Sequence, residues 1–292
     1  MIGIDWGTTS FRAFRVGRDG AIRERRAGPK GILNVPDGRF GDTLREEIGP
    51  WLAAGEDRVL LSGMIGSRQG WAEAPYLPCP ASPDALAGSL VRVIFDGAEV
   101  QLVPGLSDND AAGVPEVMRG EETQLVGAIG AMGGGGIACL PGSHAKWARI
   151  AGGQIEGFTT YLSGEAFAAI RAGTILGRMM PDAPHDDDAF GQGVARSGEP
   201  GHLLHHLFGV RTLGLFGRLP EASSASYLSG LLIGTEVRAA QPAGETVHLI
   251  GSAALCARYR DAIALCGGMS HMLDEDAAAR GLATIGRAAA WI

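Results

Sequence analysis

The chain has 292 residues, 46% of them apolar and 20% charged, with a net charge of -7. This length supports two compact lobes or one large α/β domain with a real core, and the balance excludes a disordered or fibrous chain. The modest acidic excess argues against a nucleic-acid partner, which needs clustered cations to neutralise phosphates, but leaves room for a local nucleotide site.

In chain order, Ile2 to Asp5 reads as a short buried strand, Gly7-Thr8-Thr9-Ser10 as a turn, and Phe11 to Val16 as a second strand. Asp19-Gly20 supplies hairpin chemistry before a third strand, Ala21 to Arg26. Asp42 to Leu52 is helical, with Leu44, Ile48 and Leu52 on one face. Arg58 to Ser62 is a buried strand running into a loop at Gly63. Ser82 to Phe95 contains an amphipathic helix, Val100 to Val103 is a strand, and Glu121 to Met132 is a helix opened by two acids that suit its positive end.

The opening pattern then returns. Ile137 to Leu140, Lys146 to Ile150 and Gln154 to Phe158 are strands, with Pro141-Gly142-Ser143-His144 as the first turn. Gly142 lies 135 positions after Gly7. Helices follow at Gly164 to Leu176, Glu199 to Phe208, Ser223 to Arg238, Ala253 to Ala264 and Asp274 to Trp291, with a strand at Thr246 to Ile250. The polar run from Pro181 to Arg196 reads as a mobile surface loop.

Leu125 to Ala145 carries no Asp, Glu, Lys or Arg and is nearly long enough to span a bilayer. Gly133 to Gly136 and Pro141 break it into helix, turn and strand, so no membrane partner is expected. The first residues, MIGIDWGTTS, lack the basic region and cleavage site of a secretory signal. Cys79, Cys139, Cys256 and Cys266 contain no C-x-x-C pair, which removes support for zinc and fits a reducing cytoplasm.

Five motifs carry chemistry. In Asp5-Trp6-Gly7-Thr8-Thr9-Ser10, a glycine lets the main chain approach a polyphosphate, the backbone N–H groups form an anion nest, and the hydroxyls add donors. Asp5 would hold Mg²⁺ through water. In Pro141-Gly142-Ser143-His144-Ala145-Lys146 the glycine and hydroxyl recur, and His144 or Lys146 would face the transferred phosphate; a lysine on a strand is otherwise a solvated surface residue. In Gly120-Glu121-Glu122, one carboxylate would take the proton of an attacking hydroxyl or orient it, and the other would serve the helix dipole. Glu122 is favoured as the buried member, with Glu121 its rival.

The fourth motif is the loop Ser62 to Tyr76. Arg68 suits a carboxylate, Gln69 and Glu73 suit sugar hydroxyls, and Trp71 or Tyr76 offers a ring face. Gly31 to Asn34 would form the other wall of that pocket. The alternative for this loop is an Ω-loop with an aromatic staple. The fifth motif, Gly251-Ser252 at a strand-to-helix junction, would let adenine or ribose lie against the backbone.

Two meanders with phosphate-type turns, each followed by a connecting helix, resemble the actin/hexokinase/Hsp70 superfamily. The resemblance implies a two-lobed α/β fold of ribonuclease H-like type with mixed five-stranded sheets and a nucleotide cleft. Residues 1–132 with 274–292 would form one lobe and residues 133–273 the other. The segments IDWGTTSFRAFRV, SGMIGSRQGW, VMRGEETQLVGA and LPGSHAKWARI together resemble the 2-dehydro-3-deoxygalactonokinase family. That likeness implies transfer of the ATP γ-phosphate to the 6-hydroxyl of a sugar acid in galactonate breakdown, with ATP and Mg²⁺ bound and Arg68 facing the substrate carboxylate. Two departures from the superfamily stand out. Leu140 occupies a place where an acid is common, and Asp108 and Asp110, read as an exposed loop, rank below Glu122 as a base. Other sugar kinases, a polyphosphate phosphohydrolase and an actin-like assembly protein are the alternatives, and a homo-oligomer is left open.

Overall fold

The computed structural model describes residues 1–241, 244–274 and 276–292. The chain opens on an antiparallel meander of β1 (Ile2–Trp6), β2 (Phe11–Val16) and β3 (Ile22–Gly28). Helix α1 (Phe40–Ala53) buries Phe40, Leu44, Ile48 and Trp51, one stripe at helical spacing. Next come β4 (Arg58–Ser62), β5 (Tyr76–Pro78), α2 (Pro83–Ala87), β6 (Val91–Val93), β7 (Glu99–Leu102), β8 (Gly105–Asn109), β9 (Pro115–Met118) and α3 (Glu121–Ala128). The second meander is β10 (Gly136–Leu140), β11 (Ala145–Ala151) and β12 (Gln154–Tyr161). It is followed by α4 (Ser163–Gly173), α5 (Asp187–Ser197), α6 (His202–Leu215), α7 (Ser224–Ala240), β13 (Thr246–Leu249), α8 (Ala253–Leu265), β14 (Met269–Met272) and α9 (Ala277–Ala288).

The chain divides into two compact units, Met1–Gly135 with Ala148–Phe158 and Asp274–Ile292, and Gly136–Trp147 with Thr159–Leu273. In the first, the main sheet has the order β3-β2-β1-β4-β7-β6, with β1, β4 and β7 parallel. Its core joins Ile4, Trp6 and Phe11 of the meander to Leu44 and Ile48 of α1. Helices α3 and α9 meet through glycine: a side chain at Gly127 would overlap the Ala277 carbonyl, and one at Gly281 the Thr123 carbonyl. The second sheet has the order β12-β11-β10-β13-β14, with β10, β13 and β14 parallel. A meander followed by parallel strands in both sheets is the ribonuclease H-like pattern expected from the sequence.

Three expectations are corrected. The first sheet carries a sixth strand, β6, where five were expected; it follows α2 inside the span 82–95 that was expected to contain a helix. Asp108 is not in an exposed loop: it lies on β8 in a separate three-stranded sheet, β5-β8-β9, where its carboxylate accepts the Phe158 N–H at 3.0 Å. Asp110 does lie exposed, and accepts the Ala112 and Val114 amides. The run 181–196 is not a loop throughout. Asp186 caps α5 by accepting the Ala189 N–H, and Ala189, Phe190, Gly193 and Val194 bury one face. A side chain at Gly193 would overlap the Tyr227 carbonyl, so α5 packs tightly on α7. The polar residues that suggested a loop are the cap and the solvent face of a helix.

Candidate active site

In the first unit, Asp5 stands opposite Ser62 in the β1–β4 register. Its Oδ2 accepts from Arg12 Nε at 3.1 Å and also from Arg12 Nη2. Gly63 follows β4 with φ +94°, and a Cβ there would sit 2.8 Å from the Trp6 carbonyl and 3.2 Å from Asp5 Oδ1. Gly120, with φ +104°, would place a Cβ 3.1 Å from Gly63 Cα. Both positions need glycine, in conformation and in space. They bring the ends of β1 and β4 and the start of α3 to one point around Asp5.

The turn after β1 is closed by the Gly7 N–H on the Ser10 carbonyl at 2.9 Å, and Thr8, Thr9 and Ser10 are exposed. The Ile32 and Leu33 amides donate to the Gly7 and Thr8 carbonyls at 3.0 and 3.1 Å. Gly31 is buried against Thr9, whose backbone any side chain there would overlap. Gly31 thus braces the turn from behind. Gly7 itself has an ordinary φ, and a Cβ would only come within 3.4 Å of Ser10 Oγ. The chain does not require glycine there.

Glu122 is fully buried. It accepts the Gly120 N–H at 2.6 Å, the Thr123 hydroxyl at 2.9 Å and the Ser62 hydroxyl at 3.5 Å. Burial, and then the charge of Glu121, push its carboxyl up to about 8. Glu121 is half-buried and accepts the Arg119 N–H at 3.0 Å. In the loop after β4, Arg68 is 86% exposed and pairs with Glu73 at 3.3 Å, and Gln69 is exposed. Trp71 packs edge-to-face on Phe95 at 6.0 Å, so its ring serves the core. Tyr76 lies over the Arg119 guanidinium at 4.4 Å.

In the second unit, the turn between β10 and β11 borders a cavity of about 260 Å³. Gly142 and Ser143 line one side, Ser163 and Phe167 of α4, Leu232 of α7, and Arg258 and Tyr259 of α8 the others. A Cβ on Gly142 would meet nothing within 4 Å. His144 pairs with Glu165, whose own N–H donates to the Ser143 carbonyl at 3.0 Å. Lys146 is 3% exposed, which corrects the solvated-strand alternative; its Nζ donates to the His144 carbonyl at 3.4 Å. Below the cavity, buried Glu236 accepts from Trp147 Nε1 at 2.8 Å and the Tyr259 hydroxyl at 2.9 Å. Burial raises its pKa and, with the Glu236 charge, that of Tyr259. Gly251, with φ +149°, lies beside Pro141, and Ser252 is the N-cap of α8.

Arg12, Arg119, Glu165 and Glu236 escaped the sequence reading. Arg119 sits two residues before Glu121, where the sequence alone does not set it apart from the flank of the acidic pair. The other three have no local signal, because their partners lie 7 positions away for Arg12, 21 for Glu165 and up to 89 for Glu236.

The profile of the 2-keto-3-deoxy-galactonokinase family matches residues 5–285. The chain belongs to that family. The 2-dehydro-3-deoxygalactonokinase of Escherichia coli (strain K12) is 33% identical over 273 residues, 91% of this chain and 90% of the relative. The crystal structure of a Sinorhizobium meliloti protein of the same designation superposes with a TM-score of 0.90 at 35% identity, covering 98% of each chain. More distantly, the activator of the 2-hydroxyisocaproyl-CoA dehydratase from Clostridium difficile, with bound ADPNP, shares the fold at a TM-score of 0.52 and 13% identity, covering 99% of this chain and 95% of the other. All five motifs of this family member fall inside the matched span. Among the described residues no helix is long and apolar enough to cross a membrane.

Proposed function

We propose that the chain transfers the γ-phosphate of ATP to the 6-hydroxyl of 2-dehydro-3-deoxygalactonate, in galactonate catabolism in the cytoplasm. The observation that carries this reading, in a chain of that family, is the convergence of Asp5, Ser62-Gly63 and Gly120 beside an exposed glycine and hydroxyl turn. Phosphoryl transfer asks little covalent chemistry of the protein, and it is helped chiefly by positioning and by donors for the phosphoryl oxygens. Gly7, Thr8, Thr9 and Ser10 supply such donors within the first unit; Gly142, Ser143, His144 and Lys146 are assigned to nucleotide binding within the second. The cavity at Gly142 takes the adenosine, with Gly251 and Ser252 at the start of α8, the helix that lines it through Leu255, Arg258 and Tyr259.

Mg²⁺ fits Asp5. This ion keeps most of its waters and phosphate oxygens and asks for one or two carboxylates. The lack of a side chain at Gly63, where a Cβ would stand 3.2 Å from Asp5 Oδ1, keeps a methyl group off that oxygen. When bound, the ion neutralises charge on the phosphates. Arg68, Gln69, Glu73 and Tyr76 form the sugar-acid side, where their exposure leaves them reachable. Of the two acids at α3, the enclosure of Glu122 and its raised pKa favour a proton-bearing role that positions Ser62 and Gly120. Glu121 then orients the hydroxyl or takes its proton.

The test is ADP release with 2-dehydro-3-deoxygalactonate, its gluconate epimer and unoxidised hexoses offered in parallel. Turnover is expected with the galactonate derivative. ATP hydrolysis that no sugar acid stimulates would overturn the reading.

A further inference from the structure

Arg119 stands between β9 and α3, with only 9% of its surface exposed. Its Nη2 donates to the Ala74 carbonyl at 2.7 Å, and its face lies under the Tyr76 ring. Its Nε and Nη1 have no hydrogen-bond partner. The buried hydroxyl of Ser67 is in the same state. Both lie at the same stretch of loop: Nη1 is 3.1 Å from where a Cβ of Gly66, the residue before Ser67, would stand.

A guanidinium stays charged at any pH a protein survives. Burying that charge with two unanswered N–H groups is costly, and an anion with acceptor oxygens relieves the cost. Ser67 belongs to the loop read as the sugar-acid side, and Arg119 packs against that loop at Gly66, Ala74 and Tyr76. Arg68, the arginine expected from the sequence, is 86% exposed and already holds Glu73. A carboxylate added there competes with water and gains little. At Arg119 the same charge pair forms out of water, where it is stronger.

We propose that Arg119, helped by the Ser67 hydroxyl, takes the carboxylate of the sugar acid, with Tyr76 as its cover. Tyr76 is 41% exposed and starts the three-residue β5, so its ring has solvent to turn into as the carboxylate enters. The cover keeps water from the guanidinium until an acid displaces it. The site therefore selects sugar acids over neutral sugars of the same shape. This inference rests on the sugar-acid kinase reading above.

The experiment uses the full chain. It measures KM for the sugar acid, for its primary amide and for ATP, together with thermal midpoints, in the wild type, Arg119→Gln and Ser67→Ala. Arg119→Gln is expected to raise the sugar-acid KM ~10- to 100-fold and to erase the preference for acid over amide, with the KM for ATP little changed. Ser67→Ala deletes an unpartnered buried hydroxyl, so it should fold at least as well as wild type while raising the sugar-acid KM several-fold. A lowered midpoint in Arg119→Gln with an unchanged sugar-acid KM would assign Arg119 a purely structural role and overturn the proposal. If Arg119→Gln does not fold, Ser67→Ala and the wild-type preference decide: equal use of acid and amide by the wild type, or an unchanged KM in Ser67→Ala, overturns it. A wild type inert toward every sugar acid sinks the kinase reading and this inference together, whereas an active wild type with unaffected variants sinks this inference alone.

Discussion

The turn after β1 and the turn after β10 follow the same local recipe and are held in different ways. The first is braced by extended chain, with the amides of Ile32 and Leu33 on its carbonyls and Gly31 pressed on Thr9. The second is braced by a helix, with the first turn of α4 donating to Ser143 and pairing with His144. The first is preceded by an acid, Asp5, and the second by buried Leu140 and followed by buried Lys146. At neither turn does the backbone itself demand glycine, and the proposed approach of a phosphate is a use both would serve.

The largest effect should come from removing the acid. Asp5→Asn is expected to lower turnover by about 10²-fold or more, since it removes the carboxylate proposed to hold the metal. Thermal stability should move by about 1 kcal/mol or less, because the Arg12–Asp5 pair is partly solvated. Steady-state kinetics beside a thermal melt checks both halves, and wild-type turnover would break the contrast between the turns. Gly7→Ala and Gly142→Ala come next. Each has room for a methyl group, so stability should stay within about 0.5 kcal/mol, while the KM for ATP rises on the order of tenfold where the methyl displaces a phosphate. Unchanged ATP kinetics in both would show that the turns stand back from the nucleotide.

Smallest in activity is the buried acid behind the first turn. Glu122 binds its proton more tightly folded, with a pKa of about 8 against an ordinary 4.5. Its contribution to stability is full below about pH 4.5 and is lost as pH rises through about 8. Glu122→Gln, an isostere of the protonated acid, should flatten that fall in a series of melts from pH 5 to pH 9. A slope equal to wild type would show that the carboxyl titrates normally.

Much of the fold was legible because its signals are local. Alternating and continuous apolar runs marked β1, β2, β4, β10 and β13, and Asp19-Gly20 marked the hairpin. The misreadings arose where a partner remote in sequence supplies the order. The strands β5, β8 and β9 are short and only partly apolar, and they exist because they pair with one another. Helix α5 looked too polar to fold until its narrow buried face met α7. The site divides in the same way. The glycine and hydroxyl turns could be read from adjacent residues. The exposure of Arg68, the packing of Trp71 and the burial of Lys146 could not, because burial depends on what the rest of the chain places nearby.

By itself, then, the sequence determined where the chain turns, which residues can lie against a phosphate, and to which family it belongs, because backbone conformation and short motifs are set by neighbours in the chain. Tertiary structure alone decided which of two arginines lies buried with donors to spare and which of two adjacent glutamates keeps its proton. Desolvation sets both, and desolvation is a property of the packed surroundings, not of the residue.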